Sequence, residues 1–122
     1  MKHTGRLVLL AAFALALTPS FSGASVARSG LHGSVLRGPT MPVCRPGTPC
    51  TAPAAGVHIS FVRGSIAHGV RTNARGRFSI RLAPGTYAVR IAVARFGYSP
   101  LTATVSRRHM SVLNIRIDTG IR

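Results

Sequence analysis

The stretch TNARGRFSIRLAPGTYAV, residues 72–89, decides how this chain folds. Phe78, Ile80 and Leu82 alternate with Arg77, Ser79 and Arg81, and a period of two puts the apolar set on one face of a strand and the polar set on the other. Ala83-Pro84-Gly85 then reverses the chain, after which Tyr87, Val89, Ile91 and Val93 resume the apolar alternation with Arg90 outward. Upstream, Asn73 to Gly76 supplies residue types that turn a chain tightly. The unit is a half-buried hairpin. Its outward positions need only something polar, so the pattern permits arginine there without requiring it.

Working outward, the same period recurs between Gly-, Pro- and Asn-rich breaks, as all-β sandwiches read. Val57, Ile59 and Phe61 point inward while His58, Ser60 and Val62 point out. A turn at 63–65 leads into residues 66–72, a strand loosened by Gly69. Residues 31–38 form the first strand, and Leu101, Ala103 and Val105, then Leu113, Ile115 and Ile117, complete the core. Residues 39–56 hold five of the eight prolines without apolar alternation, which marks an ordered loop or crossover. Seven strands follow, with no helical period after the N-terminal apolar run. Strands with one apolar face each must pair into two sheets over one core, so the expected fold is a seven-stranded antiparallel β-sandwich.

The first 27 residues have a different character. Lys2 and Arg6 precede the apolar run Leu7 to Leu17, and small residues follow at Ser25 and Ala27, the plan of a secretory signal peptide cleaved after Ala27, with Ala24 as the second choice. An uncleaved membrane anchor is the alternative, disfavoured because a span wants about 20 apolar residues. The expected organisation is therefore signal 1–27 and domain 28–122, a secreted or otherwise extracytoplasmic product in the periplasm or cell wall, with no membrane span after cleavage. Cleavage takes the formal charge from +15 to +13 (15 − 2), carried by arginines against the single acid Asp118.

Cys44 and Cys50 flank RPGTP, whose Pro-Gly pair favours a reversal that brings two side chains together, and an even pair in an exported chain reads as a disulfide. A metal set of His32, Cys44, Cys50 and His58 is the rival, but its spacing fits no usual zinc pattern.

The hairpin also carries a family likeness. Thr72-Asn73, Gly76, Phe78, then Leu82, Pro84-Gly85, Tyr87 and Val89 resemble the T-D-x-x-G-x-F … L-x-P-G-x-Y-x-V signature of carboxypeptidase regulatory-like domains, which are transthyretin-like, Ig-like β-sandwiches. Gly33-Ser34-Val35 is similar to the G-x-V opening of such domains, and the likeness covers roughly residues 30–118. Asn73 stands where the family usually has Asp. The resemblance implies a non-catalytic accessory module of bacterial type, since these domains serve as additions to peptidases, receptors and surface proteins. Related hydroxyisourate hydrolases share the fold, but their Y-R-G-S motif is missing.

Chemistry is sparse. One acid excludes carboxylate-pair glycoside hydrolysis. No lysine follows Lys2, which removes Schiff-base chemistry from the domain, and neither a G-x-S-x-G elbow nor a phosphate-cradling glycine loop occurs. No cofactor is expected. Outward positions carry Arg71, Arg77, Arg81, Arg90 and Arg116, the candidate surface for an anionic envelope polymer or phospholipid headgroups. Solvated strand faces in an arginine-rich composition explain the same residues without a ligand. Glycan binding is a further alternative, with Phe96 and Tyr98 as the only loop aromatics and no Trp. Nucleic-acid binding through the basic surface is another, weakened by the scarcity of interleaved aromatics for stacking.

Overall fold

The computed structural model describes residues 28–122, and the proposed signal segment lies outside them. Ten strands follow in order: β1 (Gly30–Gly38), β2 (Ala52–Pro53), β3 (His58–Arg63), β4 (Ile66–Arg71), β5 (Arg77–Arg81), β6 (Gly85–Arg90), β7 (Tyr98–Ser99), β8 (Thr102–Val105), β9 (Met110–Val112) and β10 (Ile115–Asp118). Three of these, β2, β7 and β9, are only two or three residues long, and the remaining seven (10 − 3) are those expected from the alternation. They form two sheets with no α-helix among the described residues, the β-sandwich anticipated above.

The second sheet, β4-β3-β6-β8, is wholly antiparallel. The first is organised around β1, whose nine residues are long enough to serve two sets of partners. Its first half pairs antiparallel with β5 and parallel with β9. Its second half pairs parallel with β10 and antiparallel with β2. Parallel partners were not anticipated, because alternation along a strand carries no information on the direction of its neighbours.

The change of partner happens at Gly33. Between β9 and β10, Leu113 and Asn114 fold over β1, and the Leu113 N–H donates to the His32 carbonyl at 2.9 Å. A Cβ on Gly33 would fall on the Leu113 carbonyl group, 2.6 Å from its carbon, which is backbone and cannot swing away. Val35, two residues on, has no solvent exposure. The G-x-V pair thus combines a close backbone approach with a core anchor. Gly33→Ala is expected to cost about 1–3 kcal/mol through overpacking, read from urea unfolding; a change within about 0.5 kcal/mol, the range of a neutral surface site, would contradict this packing.

The inward residues of both sheets meet in one core that includes Leu31, Val35, Ile59, Phe61, Phe78, Leu82, Tyr87, Val89, Val105 and Ile115. Phe61 of the second sheet and Phe78 of the first lie with ring centroids 6.0 Å apart, joining the sheets through an aromatic contact. The stretch 72–89 is not the hairpin its pattern suggests: β5 pairs with β1 in the first sheet and β6 with β3 and β8 in the second, so Ala83-Pro84-Gly85 carries the chain across the sandwich. A turn signal with period two on both sides does not say whether the flanking strands pair or face each other. Local bonds hold both of its turns. Asn73 Oδ1 accepts from the N–H groups of Arg75 and Arg77 at 2.9 and 3.0 Å, so it does the turn-forming work of the Asp it replaces. Gly76 follows at φ +74°, the left-handed region. At the other turn the Tyr87 hydroxyl donates to the Ala83 carbonyl at 2.7 Å, and Arg63 Nη1 donates to the Pro84 carbonyl at 2.8 Å.

Two expected core residues are exposed instead: Val93 at 67% and Leu101 at 63%. β6 ends at Arg90, and the chain then turns twice, with the Ala94 N–H bonded to the Ile91 carbonyl and the Gly97 N–H to the Ala94 carbonyl. Alternation stops with the strand, so the parity that buries Ile91 does not reach Val93. Leu101 follows Pro100 where the chain passes from the first sheet to the second. Proline offers no N–H to a ladder, and regular pairing resumes only at Thr102.

Candidate anion-binding face

The outer positions of β1 are His32, Ser34 and Leu36, since Leu31 and Val35 are buried. Register places Ser79 opposite His32 and Arg77 opposite Ser34, with Arg81 opposite Gly30, all on β5. On the other side of β1, Val112 lies opposite His32 and Arg116 opposite Leu36. Directly paired residues share a face, so Arg77, Arg81 and Arg116 project from one side of the first sheet. Arg77 and Arg81 are four residues apart on one strand, roughly 13 Å at the usual rise, and Arg116 stands two strand spacings across and two residues further along, roughly 12 Å from Arg77 and roughly 22 Å from Arg81. A shallow groove of about 660 Å³ runs between Arg77 and Arg81, lined also by His32, Ser34, Ser79 and Asn114, with Met110 and Val112 at one side, and Arg116 stands on the same face outside it. Asn114 Oδ1 accepts from the Ser34 N–H at 3.3 Å and from its hydroxyl at 3.2 Å, which orients the Asn114 amide within this face.

Arg71 and Arg90 lie elsewhere. They pair with His58 and Ser60 on the outer face of the second sheet, and Arg71 Nη1 donates to the Gly56 carbonyl at 2.8 Å. Packed sheets stand about 10 Å apart with their outer faces turned away from each other. The five outward arginines therefore make two surfaces, one of three and one of two, and a flat ligand meets only one of them.

The single acid, Asp118, stands two residues from Arg116 on the same face of β10 and away from Arg77 and Arg81. Asp118 and Arg122 are bridged at 3.3 Å at the exposed C-terminal end. The hydrogen bond from Arg122, followed by one from the Gly120 N–H, holds the Asp118 carboxyl below the usual carboxylate range. A lowered pKa means that this contact is intact at neutral pH and lost only as pH falls through that lowered value.

Cys44 and Cys50 form a disulfide with Cα atoms 5.5 Å apart, which removes two groups from the four-residue metal set. His58 and His68 lie on opposite faces of the β3–β4 pair: His58 faces outward opposite Arg71, while His68 opposes buried Phe61, its ring 6.3 Å from that of Tyr87. His109 is exposed in the turn before β9. No cluster of three metal-ligating side chains occurs among the described residues. The disulfide loop borders a cleft of about 550 Å³ that includes Phe96 and Tyr98. Tyr98 is half-buried and its hydroxyl donates to the Val89 carbonyl at 2.6 Å, so Phe96, 60% exposed, is the open aromatic surface of the loop.

Sequence parity is sufficient to place His32 and Ser34 on this face, since they alternate with Leu31, Gly33 and Val35, yet among the candidate site residues His32 enters only as a metal ligand and Ser34 not at all. Asn114 had no such signal, because it sits in the irregular step between β9 and β10.

A family model described as the carboxypeptidase regulatory-like domain matches residues 48–118. A search of curated proteins finds no significant match.

Proposed function

Because the chain belongs to the carboxypeptidase regulatory-like domain family, a generally non-catalytic group, we propose that it acts as an extracytoplasmic binding module that holds an anionic envelope polymer on the outer face of its first sheet. The observation that supports this most is the placement of Arg77, Arg81 and Arg116 on one outer face, the first two lining a single groove, while the chain's only acidic side chain is engaged by Arg122. Guanidinium groups suit phosphate or carboxylate because their planar forks donate two hydrogen bonds at once. The Ser79 hydroxyl and the Asn114 amide NH2 add neutral donors beside the charges. The disulfide and the proposed signal segment favour a site outside the cytoplasm.

Glycan and nucleic-acid recognition draw less support. Both rely on open aromatic surfaces, and no aromatic side chain but Phe78, which points into the core, borders this groove. Titration of isotope-labelled protein with inorganic polyphosphate should shift amide resonances of residues 30–36, 77–81 and 110–116 and leave those of β3 and β4 in place. Shifts spread evenly over both sheets would show that net charge alone attracts the polyanion.

A further inference from the structure

We infer that the loop joining β6 to β7 is a membrane-docking tip, which inserts Val93 and Phe96 into the interfacial region of an anionic bilayer. Val93 is 67% exposed and Phe96 60% exposed, within four residues of each other, with Arg95 between them. Consecutive turns follow the end of β6 at Arg90, and the Asp118 N–H donates to the Gly97 carbonyl at 2.9 Å, which fixes the end of this segment to β10. A groove of about 450 Å³ continues the apolar surface onto Ala54, Ala55 and Val57; Arg37 borders it from β1, and Asp118, which also borders it, is bridged to Arg122, so cations prevail around it. Val43, 65% exposed, stands beside Cys44 on the disulfide loop, whose sulfurs border the same cleft as Phe96.

Large apolar side chains left in water at a loop tip and flanked by cations are the composition of a surface that lies in a lipid interface. Charge complementarity selects the occupant. A second copy of this chain would bring like charge against like charge, since each carries one acid against more than a dozen arginines. A hydrated polyanion satisfies Arg37 and Arg95 but gains nothing from Val93 and Phe96. An anionic bilayer satisfies both, with headgroup phosphates at the arginines and the acyl boundary under the apolar pair. Two apolar side chains support only reversible docking, and each arginine near the surface strengthens it about fivefold. The tip and its groove share no lining residue with the groove between Arg77 and Arg81, so the inference stands independently of the proposed function.

The test uses residues 28–122, which contain every described strand and the whole core, with far-UV circular dichroism to verify each variant's fold. The chain has no Trp, so Phe96→Trp places a single reporter at the tip. Vesicles of phosphatidylcholine containing phosphatidylglycerol should shift its emission to the blue, and brominated lipid should quench it. In co-sedimentation, Val93→Ser with Phe96→Ser should lower vesicle affinity at least about tenfold, with binding of soluble polyphosphate unchanged. Unshifted and unquenched emission from vesicle-bound Phe96→Trp protein would overturn the proposal. So would an equal loss of vesicle binding from Arg77→Gln with Arg81→Gln, which would assign the lipid contact to the sheet face.

Discussion

Replacing Phe61 with alanine is expected to lower the free energy of unfolding by about 3–5 kcal/mol, the usual cost of emptying a buried aromatic site. Phe61 has no solvent exposure and lies opposite Val89 on one neighbouring strand and His68 on the other. Its ring is also the second sheet's contact with Phe78. Truncation therefore leaves a void between the sheets as well as within one, and close-packed strands on both sides limit how far it can collapse. Small domains have only about 5–15 kcal/mol of stability in total, so the variant should unfold near ambient temperature or in very low denaturant. Arg77→Gln, on the outer face of the first sheet, should change stability by less than about 0.5 kcal/mol. Urea unfolding of both variants checks the assignment of inner and outer faces; comparable losses would show that it is wrong.

How much of this was legible in the sequence follows from what period two can carry. It placed Ile59, Phe61, Phe78, Leu82, Tyr87, Val89, Val105 and Ile115 in the core, because each lies in a strand, or for Leu82 directly after one, on the parity that faces the other sheet. It failed at Val93 and Leu101, where the strand ends before the hydrophobic pattern does. The turn chemistry of Asn73 and Gly76 was readable because those bonds are local in sequence. The partition of the arginines was not. Outward parity is a property of each strand alone, whereas the presence of Arg77 and Arg116 on one face depends on β1 pairing with β5 on one side and with β10 on the other. That pairing joins residues 80 positions apart in the sequence, as in the contact of Ser34 with Asn114. Arg71 and Arg90 looked equivalent to the other three until the sheet assignment separated them.

Binding of polyphosphate by two matched triple variants tests the central claim most directly, and it carries the larger of the expected effects on function. One variant replaces Arg77, Arg81 and Arg116 with glutamine; the other replaces Arg71, Arg90 and Arg107, so each loses the same three charges from a different part of the molecule. Hydrogen bonds to charged groups contribute about 1.5–3 kcal/mol each, so loss of the first set should weaken binding at least about 100-fold. The second set acts only through long-range attraction, which screening confines to about 8 Å at physiological ionic strength, and should cost about threefold or less there. Both affinities are to be measured by calorimetry at low and at physiological salt, with circular dichroism to verify the fold. A large loss confined to the Arg77, Arg81 and Arg116 variant, persisting at physiological salt, is the result predicted for a built anion-binding face. Equal losses in the two variants, both fading as salt is raised, would contradict it and leave the arginines as solvated faces of a scaffold.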